Sequence, residues 1–207
     1  MTGSEAAGAA VRADPRRLCV FCGSSPGAHP AYRVAAERLG ATLVERGWEL
    51  VYGGGNVGLM GVLADAVLAR GGRVTGIIPD GLLRREVGHA GVTELRVVGS
   101  MHERKASMAE LASGFVALPG GIGTLEEIFE VLTWAQLGIH DKPCALLDVA
   151  GYYRPLVGFL DRVVEQRFAR AEHRAMLMLE DDPGRLLDRF ESYRAPTVAK
   201  WLDRDET

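Results

Sequence analysis

Pro119-Gly120-Gly121-Ile122-Gly123-Thr124-Leu125-Glu126-Glu127 is the stretch that decides how this 207-residue chain is read. The run before it, Gly114-Phe115-Val116-Ala117-Leu118, is short and apolar, as a buried strand would be. The residues after it, up to Leu137, have helical length and composition. A strand, a glycine-rich turn and a helix N-terminus therefore follow one another. That geometry aims several backbone N–H groups at one point, where the helix dipole favours negative charge. The glycines at 120, 121 and 123 let the backbone approach a ligand that a Cβ would hold off, and a phosphate is the natural guest. Glu126 and Glu127 follow at once. An acid repels a phosphate, so these two either cap the helix or act on what the phosphate carries. Thr124-x-x-Glu127 matches a capping box, and Glu126 matches a first-turn acid. Those structural readings stand beside the chemical one.

Outward from this loop, strands alternate with helices. Arg17 to Cys22, Glu49 to Tyr52, Arg73 to Ile78, Glu94 to Val98, Cys144 to Leu147 and Met176 to Leu179 read as further strands. Pro30 to Arg46, Leu59 to Arg70, Met101 to Ala112, Tyr153 to Glu165 and Pro183 to Tyr193 read as helices. Pro79 to Thr93 reads as an irregular crossover carrying Arg84, Arg85, Glu86 and His89. The alternation predicts an α/β fold, a Rossmann-like doubly wound parallel sheet in a single domain over residues 16–195. Residues 1–15, rich in Ala and Gly, read as a disordered extension, and 196–207 as a polar tail in which Trp201 could dock. In such sheets ligands sit outside the carboxyl ends of the strands, at the topological switch point.

Composition narrows the class. An apolar content of 47% and a charged content of 25% are those of an ordinary soluble domain. A net charge of −3 gives no reason to expect nucleic acid or an anionic membrane as partner. No apolar run approaches the ~20 residues of a membrane span, so the expected location is cytoplasmic. Cys19, Cys22 and Cys144 make no disulfide framework. Cys19-x-x-Cys22 has redox spacing, but Cys19 falls inside an apolar run and reads better as a buried strand residue. The histidines show no ligand spacing, so no metal site is expected. Lys105, Lys142 and Lys200 are the only lysines in a chain that otherwise writes Arg, which draws attention to Lys105.

Three further patterns bear on a site. Gly53-Gly54-Gly55-Asn56-Val57-Gly58 matches G-x-G-x-x-G between a strand and a helix. It is open to three readings: a dinucleotide fingerprint with Asp80 as the ribose acid, a tight turn without ligand, or a second wall of the Pro119 cleft, with Gly54 and Gly55 as lining residues. In the helix from Met101, positions 101, 104, 105 and 108 share one face that should pack on the sheet. Arg104 interrupts that face, and an inward guanidinium needs a partner, either a structural carboxylate or a substrate. Thr133 lies seven residues after Glu126 on the same helical face, as a buried hydroxyl bonded to its own backbone or as the edge of a ligand pocket.

Taken in order, Gly53-Gly54-Gly55-x-x-Gly58-Leu59-Met60-Gly61, Met101-His102-x-Arg104-Lys105 and Pro119-Gly120-Gly121-x-Gly123-Thr124-x-x-Glu127 resemble the Lonely Guy family, the cytokinin riboside 5′-monophosphate phosphoribohydrolases. The likeness runs from about Leu18 to Tyr193 and takes in Cys22-Gly23-Ser24-Ser25, with Ser24 a further candidate for the cleft, and Thr133-Trp134-Ala135-Gln136-Leu137-Gly138-Ile139-His140. Similar sequences have been labelled lysine decarboxylases, but no segment here reads as a pyridoxal phosphate site. The resemblance implies hydrolysis of the N-glycosidic bond of an adenine-type nucleoside 5′-monophosphate, AMP included, releasing free base and ribose 5-phosphate, with no cofactor. It implies Arg104 and Glu127 as the catalytic pair. Glu86, Lys105, Gly121, Ile122, Gly123, Thr124, Leu125, Glu126 and Thr133 are the implied substrate contacts. Arg84 and Ile122 depart from the family, which often has Pro and Tyr there. The resemblance also implies a homodimer. A nucleotide-binding module without turnover, or an NAD(P)-dependent oxidoreductase, are the alternatives.

Overall fold

A computed structural model describes residues 15–83 and 88–196. Seven strands form one parallel sheet in the order β4-β3-β2-β1-β5-β6-β7. They are β1 (Arg17–Phe21), β2 (Glu49–Tyr52), β3 (Val74–Pro79), β4 (Glu94–Val98), β5 (Gly114–Ala117), β6 (Cys144–Leu147) and β7 (Leu177–Glu180). The helices are α1 (Pro30–Glu45), α2 (Gly58–Leu68), α3 (Asp80–Leu83), α4 (Met101–Leu111), α5 (Ile122–Gln136), α6 (Arg154–Glu165), α7 (Ala171–Ala175) and α8 (Pro183–Glu191). The chain winds outward from β1 through β2, β3 and β4, then returns to pair β5 with the other side of β1. Cys19 is thus in register with Val51 on one side and Phe115 on the other. The switch point lies between β1 and β5, and the turns that leave those two strands begin at Cys22 and Leu118. The doubly wound reading holds, and it puts the Pro119 loop beside the Gly23-Ser24-Ser25 turn.

Alternate residues of each central strand face opposite layers, so both faces are covered and the strands read as unbroken apolar runs. Leu18, Val20, Leu50, Tyr52 and Val116 pack with α1, α2 and α8. Cys19, Phe21, Val51, Ile77, Phe115 and Ala117 pack with α4 and α5. Cys19 and Cys22 fall in different core layers, and burial pushes both thiols well up, which is the condition of structural cysteines and not of a redox pair. The crossover read as irregular holds the short α3, and a second short helix, α7, also escaped the sequence pattern. Among the described residues, no helix is long and apolar enough to cross a membrane. Arg84 to Val87, Trp201 and most of the two terminal segments lie outside the described residues.

Candidate active site

The site begins with a helix cap. Ser100 accepts a hydrogen bond from Glu103 N at 3.1 Å, and Glu103 Oε2 accepts one from Gly99 N at 2.8 Å. The S-x-x-E pattern that closes a helix start is therefore Ser100-x-x-Glu103, just ahead of Arg104. This cap sets the first turn of α4 over the carboxyl ends of β2 and β3, and Arg104 enters the interior there, only 5% exposed. Its Nε donates to Ile77 O at 3.1 Å and its Nη2 to Gly53 O at 3.1 Å. Nη1 lies 3.7 Å from Met101 Sδ and 3.9 Å from Glu127 Oε1. The partner of the inward guanidinium is thus two backbone carbonyls plus a carboxylate across the cleft. Gly53 is what makes the seat: a Cβ there would stand 2.0 Å from Arg104 Nη2.

The opposite wall corrects the capping reading. α5 starts at Ile122 with Gly121 at the cap and no side-chain cap bond, so Thr124 is the third helical residue and Glu127 the sixth. Neither Thr124 nor Glu127 can form the expected box, and Glu126 is past the first turn. Thr124 folds back over the loop instead: a Cβ on Gly120 would meet Thr124 Oγ1 at 2.1 Å and Gly23 N at 2.9 Å. Among the described residues, no protein acceptor takes the N–H groups of Gly120 to Thr124. An uncapped helix start leaves its first donors to a ligand, and the dipole favours an anion there. A Cβ at Gly121 or Gly123 would meet nothing within 4 Å.

Between these walls is a cavity of about 390 Å³. Arg104, Glu126, Glu127, Gly121, Ile122, Gly123, Thr124 and Ser24 line it, all of them singled out in the sequence. Cys22, Gly23, Met60, Leu82 and Met101 complete it. The last three form an apolar wall with Ile122, which is 82% exposed; Met60 and Met101 stood in the quoted motifs without a site role, and no pattern announced Leu82. They come from three different elements, so only the fold brings them together.

Other expected contacts lie elsewhere. Lys105 does not line the cavity; its Nζ donates to Glu126 Oε1 at 2.6 Å and to Glu130 Oε1 at 3.0 Å. Burial lowers its pKa, and the two carboxylates outweigh that to leave it raised. Lys105 therefore reaches the cleft only through Glu126. Leu125 packs half-buried against the core, and its amide is spent on Gly121 O at 3.2 Å. Thr133 sits on an exposed face, its hydroxyl bonded to Phe129 O at 2.7 Å, beside a separate cavity that Leu160 and Val163 of α6 also line. Gly54 and Gly55 are buried beneath the cleft and do not line it: Gly54 O accepts from His89 N at 2.9 Å, and Gly55 bridges Gly88. The G-x-G-x-x-G turn follows β2, one strand from the switch point, and Asp80 is exposed at the start of α3, so the dinucleotide reading loses its support. Glu86 lies outside the described residues.

Fold and site together define a Rossmann-like α/β protein with an anion cradle facing a guanidinium–carboxylate pair. Residues 60–190 match the family model described as "Possible lysine decarboxylase". The chain is 52% identical over 181 residues, 87% of its length and 74% of the relative's, to "Probable cytokinin riboside 5′-monophosphate phosphoribohydrolase LOGL5" of Oryza sativa subsp. japonica. It is 49% identical over 178 residues, 86% of its length and 84% of the relative's, to "Cytokinin riboside 5′-monophosphate phosphoribohydrolase LOG1" of Arabidopsis thaliana. Among solved structures, the Moco carrier protein of Chlamydomonas reinhardtii superposes with a TM-score of 0.65 at 20% identity, over 86% of this chain and 96% of that one. At that identity the likeness is one of fold. The chain belongs to the cytokinin riboside 5′-monophosphate phosphoribohydrolase family.

Proposed function

We propose that this protein hydrolyses the N-glycosidic bond of cytokinin riboside 5′-monophosphates, and of AMP, to free base and ribose 5-phosphate. The observation that carries the reading is the pairing of an unspent amide cradle with Glu127, 3.9 Å from a buried arginine, in one cavity. The 5′-phosphate takes the N–H groups of Gly121 to Thr124 and the Thr124 hydroxyl, which fixes the ribose in the cleft. As the C1′–N9 bond breaks, its electron pair leaves with the base and positive charge grows on the ribose. The Glu127 carboxylate stabilises that charge and takes a proton from the attacking water, whose oxygen joins C1′; the departing base nitrogen gains the proton. Arg104, held by Ile77 O and Gly53 O, orients Glu127 and faces the base. The apolar wall of Met60, Leu82, Met101 and Ile122 suits an apolar substituent on the adenine.

A homodimer is part of this reading. Leu137, Ile139, Phe159 and Phe168 are 48, 64, 63 and 87% exposed on and beside α5 and α6, and α6 packs Leu156, Val157 and Leu160 only half-buried against the core. A second copy covering that face would also enclose Thr133. The three cysteines are free and buried, which accords with a reducing compartment, the cytoplasm.

The test is ribose 5-phosphate release from AMP and from isopentenyladenosine monophosphate, wild type beside Glu127→Ala. Release that the variant loses supports the reaction and the acid. AMP binding without release from either nucleotide refutes the hydrolase and leaves a nucleotide-binding module.

A further inference from the structure

The loop that carries the cradle is held from behind by two adjacent tyrosines. Tyr152 OH donates to Gly120 O at 2.6 Å, and Tyr153 OH donates to Leu118 O at 2.7 Å. The carbonyl between them, Pro119 O, accepts from Gly23 N at 3.1 Å. Three successive carbonyls are thus fixed by donors outside the loop. Tyr152 itself stands 40% exposed, edge-on to Tyr32 at 5.7 Å and to Tyr153 at 5.0 Å, so its ring is steered by packing on both sides. It borders a second cavity of about 310 Å³ behind the loop and does not reach the Arg104–Glu127 cavity, whereas Gly121 borders both.

A peptide unit is planar, and this chain has no cis bond among the described residues, so fixing a carbonyl fixes the next N–H in the opposite direction. With Gly120 O turned back to Tyr152, the Gly121 N–H turns away from it. We propose that Tyr152 is a positioning residue for the reaction assigned above: its hydroxyl aims the Gly121 amide at the nucleotide's 5′-phosphate. The inference rests on that functional reading for the identity of the anion. Tyr153 is the built-in contrast. It grips Leu118 O, and the next residue is Pro119, which has no N–H to aim. Its bond anchors a buried strand end, since Leu118 is fully buried.

The two tyrosines therefore separate in their effects. Tyr152→Phe keeps the ring and removes the donor at a half-exposed site. Its urea midpoint stays near wild type, while its affinity for AMP, and for inorganic phosphate competing with AMP, falls roughly tenfold, the worth of one misaimed hydrogen bond to a charged group. In turnover the change appears mainly in KM. Tyr153→Phe lowers the urea midpoint, because Leu118 O is left buried without its donor, and the folded protein keeps wild-type affinity for both anions. Calorimetric titration of both variants with AMP, with and without phosphate, reads the contrast without requiring turnover. Unchanged anion affinity in Tyr152→Phe overturns the proposal, whether or not its midpoint moves. Equal loss of affinity in both variants overturns it as well, since that is general loosening of the loop. Wild type that binds AMP without releasing ribose 5-phosphate refutes the hydrolase reading alone and leaves the tyrosine contrast to be judged on binding.

Discussion

Gly53→Ala tests the site through a residue that touches no substrate. A Cβ at residue 53 would lie 2.0 Å from Arg104 Nη2 and 3.1 Å from its Cζ, with Met60 Sδ next at 3.5 Å. Gly53 does not have a positive φ, so alanine fits its backbone. What the methyl meets is the far end of a flexible side chain, and the strain is relieved by moving the guanidinium and not the strand. Arg104 then loses its 3.1 Å bond to Gly53 O. A hydrogen bond to a charged group contributes roughly 1.5–3 kcal/mol. Alanine returns roughly 0.4–1 kcal/mol by restricting the unfolded chain. The net loss of stability is about 1–2 kcal/mol, or a few degrees in Tm for a chain of this size. Activity should suffer far more, because the guanidinium must retreat by about 1.5 Å from the 2.0 Å approach to reach ordinary contact, and a misplacement of even about 1 Å costs on the order of 10²-fold in rate. Urea denaturation and ribose 5-phosphate release from AMP measure the two quantities on one preparation. Wild-type kcat/KM in a folded Gly53→Ala protein would refute the role given to Arg104. A collapse of stability would refute the claim that the methyl is accommodated by the side chain.

Other outcomes follow from the same geometry. Gly121→Ala places its Cβ in open space at φ −90, so stability should change by less than about 0.5 kcal/mol while nucleotide KM rises; an unchanged KM would put the phosphate elsewhere. Gly120→Ala, whose Cβ would meet Thr124 Oγ1 and the Gly23 backbone, should instead lose about 1–3 kcal/mol of stability in urea, as overpacking does. Alkaline pH should destabilise the fold steeply. Burial holds the Cys19, Cys22 and Cys144 thiols above their ordinary range, Cys144 at about 12. With the folded pKa values raised, their contribution is complete below the unfolded thiol value of roughly 8.5 and is lost as pH climbs from there towards the folded value. Each thiol that ionises only in the unfolded chain removes about 1.4 kcal/mol per pH unit, so Cys144→Ala should flatten the slope of stability against pH by that amount between roughly pH 9 and 11. An unchanged slope would mean that the thiol is not held neutral.

The central strands were legible because both sheet faces are covered there, and the edge strand β4, largely exposed, was legible from its β-rich residues between turn signals. Glu49–Tyr52, Glu94–Val98 and Cys144–Leu147 have the bounds read from the sequence. Helices α3 and α7, at four and five residues, are too short to show a period. The wall that carries Glu127 was harder to read for a definite reason. Thr124-x-x-Glu127 has the letters of a capping box, and local pattern favours closing the helix start with side chains. The fold starts the helix at Ile122 and leaves the donors uncapped, while the box that does form, Ser100-x-x-Glu103, stands ahead of Arg104. A motif shows which groups could pair, and the start of the helix decides which of them do. Thr133 illustrates the limit of periodicity: seven residues share a face with Glu126, but about 10 Å of helix rise carries the hydroxyl out of the cleft.

The two glycine-rich turns divide one task. The turn after β2 makes no contact with the cavity; its Gly53 gives up a side chain so that Arg104 can be held from below by a carbonyl. The turn after β5 is itself the wall: Gly121 to Thr124 line the cavity, and among the described residues no protein acceptor takes their N–H groups. Doubly wound sheets host unrelated functions, so the fold alone assigns none of this chemistry. A cradle by itself would describe a phosphate binder. Glu127 changes that, because a carboxylate near an anion site is unfavourable unless positive charge is present. Arg104 supplies such charge in the resting protein, and in the proposed reaction the ribose supplies it as the glycosidic bond breaks. On the proposed assignment the arrangement is better matched to the transition state than to the bound nucleotide, which is the condition for turnover and not for storage.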